Sequence, residues 1–131
     1  MRAVQTLQTG RRFLADLTPG KDLLGELADL CRSVRLHSAI LTVTGSVRSG
    51  TIGTFDPDQQ VYVTHSVERP LEIASCHGTA TPGERRQCVR AGIVLADATG
   101  QIFAGRLLSP TIVLMAEAAL DELLGVPPGI G

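Results

Sequence analysis

Tryptophan is absent from the 131 residues and aromatic residues make up only 3%. A core must therefore be built from aliphatic side chains. Lysine is almost missing too: of the 12 basic residues all but Lys21 are arginine. Arginine contributes planar forks suited to carboxylate and phosphate, although a base composition favouring Arg, Ala, Leu and Gly codons accounts for the same bias. Three cysteines, Cys31, Cys76 and Cys88, form an odd set without CxxC spacing. That excludes a disulfide framework and favours a reducing compartment. No run approaches the ~18 apolar residues of a membrane span. The opening MRAVQTLQTGRR lacks the apolar stretch of a secretory signal, so a cytosolic location is expected. Excess charge of one sign is also lacking. Twelve basic and 13 acidic residues leave a formal charge of −1, which excludes a strongly basic nucleic-acid binder.

Several chemical motifs are missing. Gly45, Gly50 and Gly53 do not fit G-x-G-x-x-G, and no G-x-x-x-x-G-K-[ST] occurs, so these glycines read as turns and bulges in a curved sheet. There is no G-x-S-x-G elbow. Cys76 adjoins His77, but neighbours in a strand point to opposite faces and cannot pair as nucleophile and base. Cys76 and Cys88 read as small buried hydrophobes. His37, His65 and His77 lie on separate segments without ligand spacing. His65 shares an apolar face and reads as a core or interface histidine. Asp97 precedes a hairpin turn and reads as a turn residue. Glu117 sits among Met115, Ala116, Ala118 and Ala119. If buried it needs an arginine or a backbone N–H as partner, or else it is a perturbed catalytic carboxyl.

What is present is the content of one domain: 44% hydrophobic and 19% charged residues in a chain of single-domain length. Residues 1–10 are expected to be a flexible arm, 11–124 the domain, and 125–131 a frayed tail. Residues 12–17 alternate as a short strand. Thr18-Pro19-Gly20 then opens a helix, in which Leu23, Leu24, Leu27, Leu30, Cys31 and Val34 form one apolar stripe. Afterwards the texture turns to period two. Residues 38–44 and 51–55 are strand-like, Asp56-Pro57-Asp58 is a turn, and 60–67 alternate cleanly. Residues 71–78 are a further strand and 81–86 a loop. Residues 89–96 and 101–108 flank a hairpin signal at 97–100. Pro110 to Met115 is apolar on both faces, as a doubly covered strand would be. Residues 116–124 favour helix by propensity. One helix and then six or seven strands joined by short links predict an α+β fold with a largely antiparallel sheet.

The order of motifs resembles the PPC domain (plants and prokaryotes conserved domain) from about Arg11 to Leu120. The carriers begin with Arg12-Phe13-Leu14 leading into Pro19-Gly20-Lys21-Asp22-Leu23-Leu24, and continue with Gly53-Thr54-Phe55-Asp56-Pro57. The segment Arg69-Pro70-Leu71-Glu72-Ile73-Ala74-Ser75-Cys76-His77-Gly78 is similar to the family's Gly-Arg-Phe-Glu-Ile-Leu-Ser-Leu-x-Gly core. Ile93-Val94-Leu95-Ala96-Asp97 with Gly100, then Gly105-Arg106-Leu107-Leu108 and Ala116-Glu117, resemble its closing strands. The resemblance implies about seven antiparallel strands with one main packed helix, assembled as a homotrimer, with residues 111–120 as a strand. Stand-alone prokaryotic members carry a DNA-binding description. In plant relatives a separate AT-hook contacts DNA while the PPC domain trimerises and engages proteins. This chain has no Arg-Gly-Arg-Pro hook.

The expected function is accordingly a regulatory module of the DNA-binding type, a homotrimeric binding and assembly domain. Its partners would be its own copies and other proteins, with weak or indirect contact to DNA, none to membrane, and no cofactor. The alternative is a small-molecule, anion-binding protein or an enzyme with a pocket between subunits. Many prokaryotic relatives resemble one another in a His-x-His pair and a later His that look like a metal site. The matching positions here are Arg90, Gly92 and Arg106, and guanidinium has no free lone pair for zinc, so no zinc site is expected. Arg90 and Arg106 then need a carboxylate, with Glu117 or Glu72 as candidates, or a bound anion over which Arg85 and Arg86 could close.

Overall fold

The computed structural model describes residues 3–82 and 88–125. Six strands and one helix follow in the order β1 (Leu7–Asp16), α1 (Leu23–Ser33), β2 (Ala39–Asp56), β3 (Val61–Val67), β4 (Leu71–Thr81), β5 (Cys88–Ala96) and β6 (Ile102–Gly125). The α+β, antiparallel expectation holds, with six strands rather than seven. Two mergers reduce the eight strand-like segments of the sequence to six. The segments 38–44 and 51–55 are one 18-residue strand, β2, and Ile102–Gly125 is one 24-residue strand, β6. β1 begins at Leu7, inside the stretch expected to be an arm. Gly125 closes β6, and the rest of the expected tail lies outside the described residues.

β6 runs against propensity at residues 116–124 because it is paired on both edges. β1 takes one side, with Phe13 opposite Leu120, and β2 takes the other, with Leu41 opposite the same residue. Its burial then alternates: Ala116, Ala118, Leu120 and Glu122 are buried while Glu117 is exposed. Two ladders and an inward apolar row outweigh a few tenths of a kcal/mol per residue of helix preference. Pro110 has no N–H to give to a ladder, and it sits at the break in register between Leu108 and Ile112.

The pairings β2–β4, β4–β5, β5–β6 and β6–β2 form a closed circuit. The aliphatic core includes Leu41, Val43, Val47, Leu71, Ile93, Leu95, Leu107, Val113 and Leu120. Helix α1 packs on β6 and β5, burying Leu23, Leu27 and Cys31 at i, i+4 and i+8. Asp22 is its N-cap, accepting from the Gly25 N–H at 3.2 Å. Two buried threonines are linked: Thr51 N–H donates to Thr111 Oγ1 at 3.0 Å, and Thr111 Oγ1 donates to the Leu108 carbonyl at 2.8 Å. Among the described residues β3 pairs only with β2 and is an edge strand.

Candidate functional site

Period two decides what the outer side of the β4–β5–β6 segment carries. On β5, Ala91, Ile93 and Leu95 are buried, so Arg90 and Gly92 face outward. The ladders set Gly92 opposite His77 of β4 on one side and opposite Arg106 of β6 on the other. Arg90, two residues earlier on the same face, stands opposite Thr79. The structure thus brings Arg90, Gly92 and Arg106 together, and adds His77. They line an open hollow of about 400 Å³ with Gly105. Gly92 supplies the opening: a Cβ built on it would meet nothing within 4 Å. His77 and Arg106 are two strands apart, roughly 10 Å, with no side chain between them.

Among the described residues the lining holds no carboxylate. The Arg106 guanidinium lies 5.6 Å from the centre of the Tyr62 ring, a cation–π contact, and Tyr62 meets Phe55 edge-on at 5.4 Å. Arg90 is exposed and forms no ion pair among the described residues. Tyr62 was not among the site residues read from the sequence. Its alternation in β3 gave its face but not its distant neighbour.

The carboxylates proposed as internal partners lie elsewhere. Glu72 and Glu117 line a second hollow of about 560 Å³ with Asp16, Ser46 and Met115. Within the chain neither is paired with Arg90 or Arg106. Glu117 is exposed, so the strand's apolar composition does not make it a buried acid. Arg85 and Arg86 lie outside the described residues.

The remaining candidates are structural. Asp97 holds the turn as expected: its Oδ1 accepts from Thr99 N–H, Thr99 Oγ1 and Gln101 N–H, and its Oδ2 from Arg69 Nη2 at 3.0 Å. The Thr99 hydroxyl, then Arg69 and the backbone donors, hold its carboxyl down at about 2. Glu122 is nearly buried and accepts from Arg11 N–H, Nε and Nη2 at 2.9, 3.0 and 2.8 Å, which also brings it to about 2. Burial pushes the Cys76 thiol up to about 11, far from a reactive thiolate. Cys76 is buried while His77 is exposed, so the two do face apart. Cys88 is only half-buried, at the start of β5, not in the core. His65 is exposed in the single chain, with Nε2 3.2 Å from Thr54 Oγ1.

The family model of the Plants and Prokaryotes Conserved (PCC) domain, the PPC domain of the sequence resemblance, matches residues 4–123. The chain belongs to this family. Among solved structures, this PPC domain is similar to a metal-containing protein of Archaeoglobus fulgidus. The two are 28% identical with a TM-score of 0.88, over 97% of this chain and 89% of that one. A plant- and prokaryote-conserved protein of Pyrococcus horikoshii is 25% identical with a TM-score of 0.88, over 95% and 87%. A candidate DNA-binding protein of Bacteroides thetaiotaomicron shares the fold at 17% identity and a TM-score of 0.77, over 88% and 82%. No curated protein matches the chain.

The Archaeoglobus relative's metal raises the question of whether this PPC domain could hold one. The donor chemistry is unfavourable. The hollow offers one imidazole, His77, beside two guanidinium groups and a glycine. Among the described residues no group of three His, Cys, Asp or Glu is placed to hold an ion. The residues present do not fit a metal of the N, O or S-ligated kind. No helix of the described residues is long and apolar enough to cross a membrane.

Proposed function

We propose that this PPC domain is a self-associating binding and assembly module of the regulatory, DNA-binding type, active as a homotrimer. The observation that carries this reading is the far end of the β2–β3 hairpin. Phe55, Val61, Tyr62 and Val63 are 50%, 48%, 51% and 42% exposed. Val61 and Val63 lie on one face and Tyr62 on the other, so both faces of a two-stranded ribbon are apolar and uncovered. Such a ribbon is marginal alone in water, and its free edge invites pairing. Met115, 76% exposed on β6, adds to the bare apolar surface. A second copy of the chain supplies an apolar cover of matching chemistry, and the number three is the one implied by the family. Light scattering on the purified protein at micromolar concentration should give three chain masses, and Val63→Asp should shift it to one. A monomer for the parent protein would overturn the reading.

In this reading DNA is engaged weakly or through partners. With a formal charge of −1 few counterions are released on a duplex. Fluorescence anisotropy should give half-saturation above the micromolar range at physiological salt, rising as salt is added. Nanomolar affinity would contradict this part.

A further inference from the structure

We propose that the hollow between β4, β5 and β6 is an oxyanion site for a phosphate group, free or as the end of a small phosphate monoester. The argument rests on this chain's side chains alone and stands whether or not the chain trimerises. Arg90 and Arg106 project from neighbouring strands into one hollow, with the imidazole of His77 on its opposite rim. Two guanidinium groups on one concave face repel, and the arrangement is stable only with negative charge nearby or with full hydration. Among the described residues the lining contains no acid, and the acids expected to neutralise it, Glu72 and Glu117, line another hollow. Among the described residues the position is therefore cationic and lacks a counter-charge.

The shape suits the charge. Gly92 sits in the row between His77 and Arg106, so the donors border a slot floored by backbone instead of touching one another. The Tyr62 ring lies 5.6 Å from the Arg106 guanidinium, a contact with the ring face that takes up none of its N–H donors. Arginine forks match the paired oxygens of a phosphate and donate charge-assisted hydrogen bonds to them. The hollow, about 400 Å³, falls within the usual range for small-molecule sites, about 300–1,000 Å³. That is room for a monoester as well as for the free ion. The same residues that fail as metal ligands, because they stay protonated, are for that reason suited to an anion.

The test is titration of sodium phosphate and, in a second arm, glycerol phosphate, each against sodium chloride at matched ionic strength. The readouts are melting temperature and calorimetric Kd. Both phosphates should raise the melting temperature beyond the chloride control. The lower Kd of the two identifies whether the free ion or the ester is the better occupant. Arg106→Ala and Arg90→Ala should each weaken binding by about tenfold or more. Arg106→Lys, which keeps charge but loses the fork, should fall between. Arg48→Ala, at an exposed arginine outside the hollow, should bind like the parent. If an arginine variant misfolds, Gly92→Leu decides: its side chain enters open space, so it should fold, keep the parent's oligomer mass and lose phosphate binding. Three outcomes overturn the proposal: no phosphate-specific rise in the parent, an equal rise in Gly92→Leu, or an equal loss in Arg48→Ala.

Discussion

Asp22 Oδ1 accepts the backbone N–H of Thr111 at 2.9 Å, across 89 residues of sequence. Its Oδ2 accepts the Gly25 N–H at the start of α1 and the Ser109 hydroxyl at 2.6 Å. One carboxylate thus caps the only helix among the described residues and fixes β6 where Pro110 interrupts its ladder. Asp22→Ala should lose a cap, worth about 1 kcal/mol, and leave the Thr111 N–H unpaired, a further ~1–3 kcal/mol. Urea denaturation should therefore give a loss of about 2–4 kcal/mol, with an unchanged m-value.

Two glycines should respond in opposite ways to the same substitution. Gly45 has φ of +124°, and a Cβ there would lie 2.1 Å from the Met115 carbonyl oxygen. Gly45→Ala should cost about 2 kcal/mol or more, because rigid backbone of β6 must move. Gly92→Ala meets nothing within 4 Å and should change stability by less than about 0.5 kcal/mol. Thermal melts of the pair check this directly.

Acid should destabilise the fold in a defined window. Glu122 and Asp97 have carboxyls held at about 2, against ordinary values of 4.5 and 3.8. A depressed folded-state value means that the stabilisation is complete above the unfolded value and is lost as pH falls towards the folded one. Urea midpoints should be flat from neutrality to about pH 5 and fall between about pH 4.5 and 2. Glu122→Gln, which removes the charge from the Arg11 pair, should flatten that fall. A double variant with Asp97→Asn should flatten it further.

Metal content should set this chain apart from its metal-containing relative. Elemental analysis of protein purified without chelators should find far less than one zinc per chain. The triple variant Arg90→His, Gly92→His and Arg106→His would place three imidazoles on one face, on adjacent β5 and β6 positions. It should gain stoichiometric zinc and a metal-dependent rise in melting temperature.

Part of the hollow's lining is legible in the sequence. Alternation in β5 put Arg90 and Gly92 on one face, and the family pattern added Arg106; the ladders bring all three into one hollow. His77 was visible as a residue but not as a member, because its place depends on which strand pairs with β5. Glu72 and Glu117 stand apart from Arg90 and Arg106 for the same reason. Register between distant strands, not spacing along the chain, set them beside Asp16.

The amino-acid order by itself determined α1, whose apolar stripe repeats at helical spacing, the alternation of most strands, the Asp97 turn and the family. These are local patterns, written in neighbouring residues. Only the tertiary structure decided that β2 and β6 are continuous, that residues 116–124 are extended despite helical propensity, and that the sheet closes through the β2–β6 pairing. It also decided that cations and acids occupy separate hollows. Each of these turns on free energy gained across the chain: hydrogen bonds to two flanking strands and burial of one apolar row. Such gains belong to no single segment and outweigh the preference of any one of them.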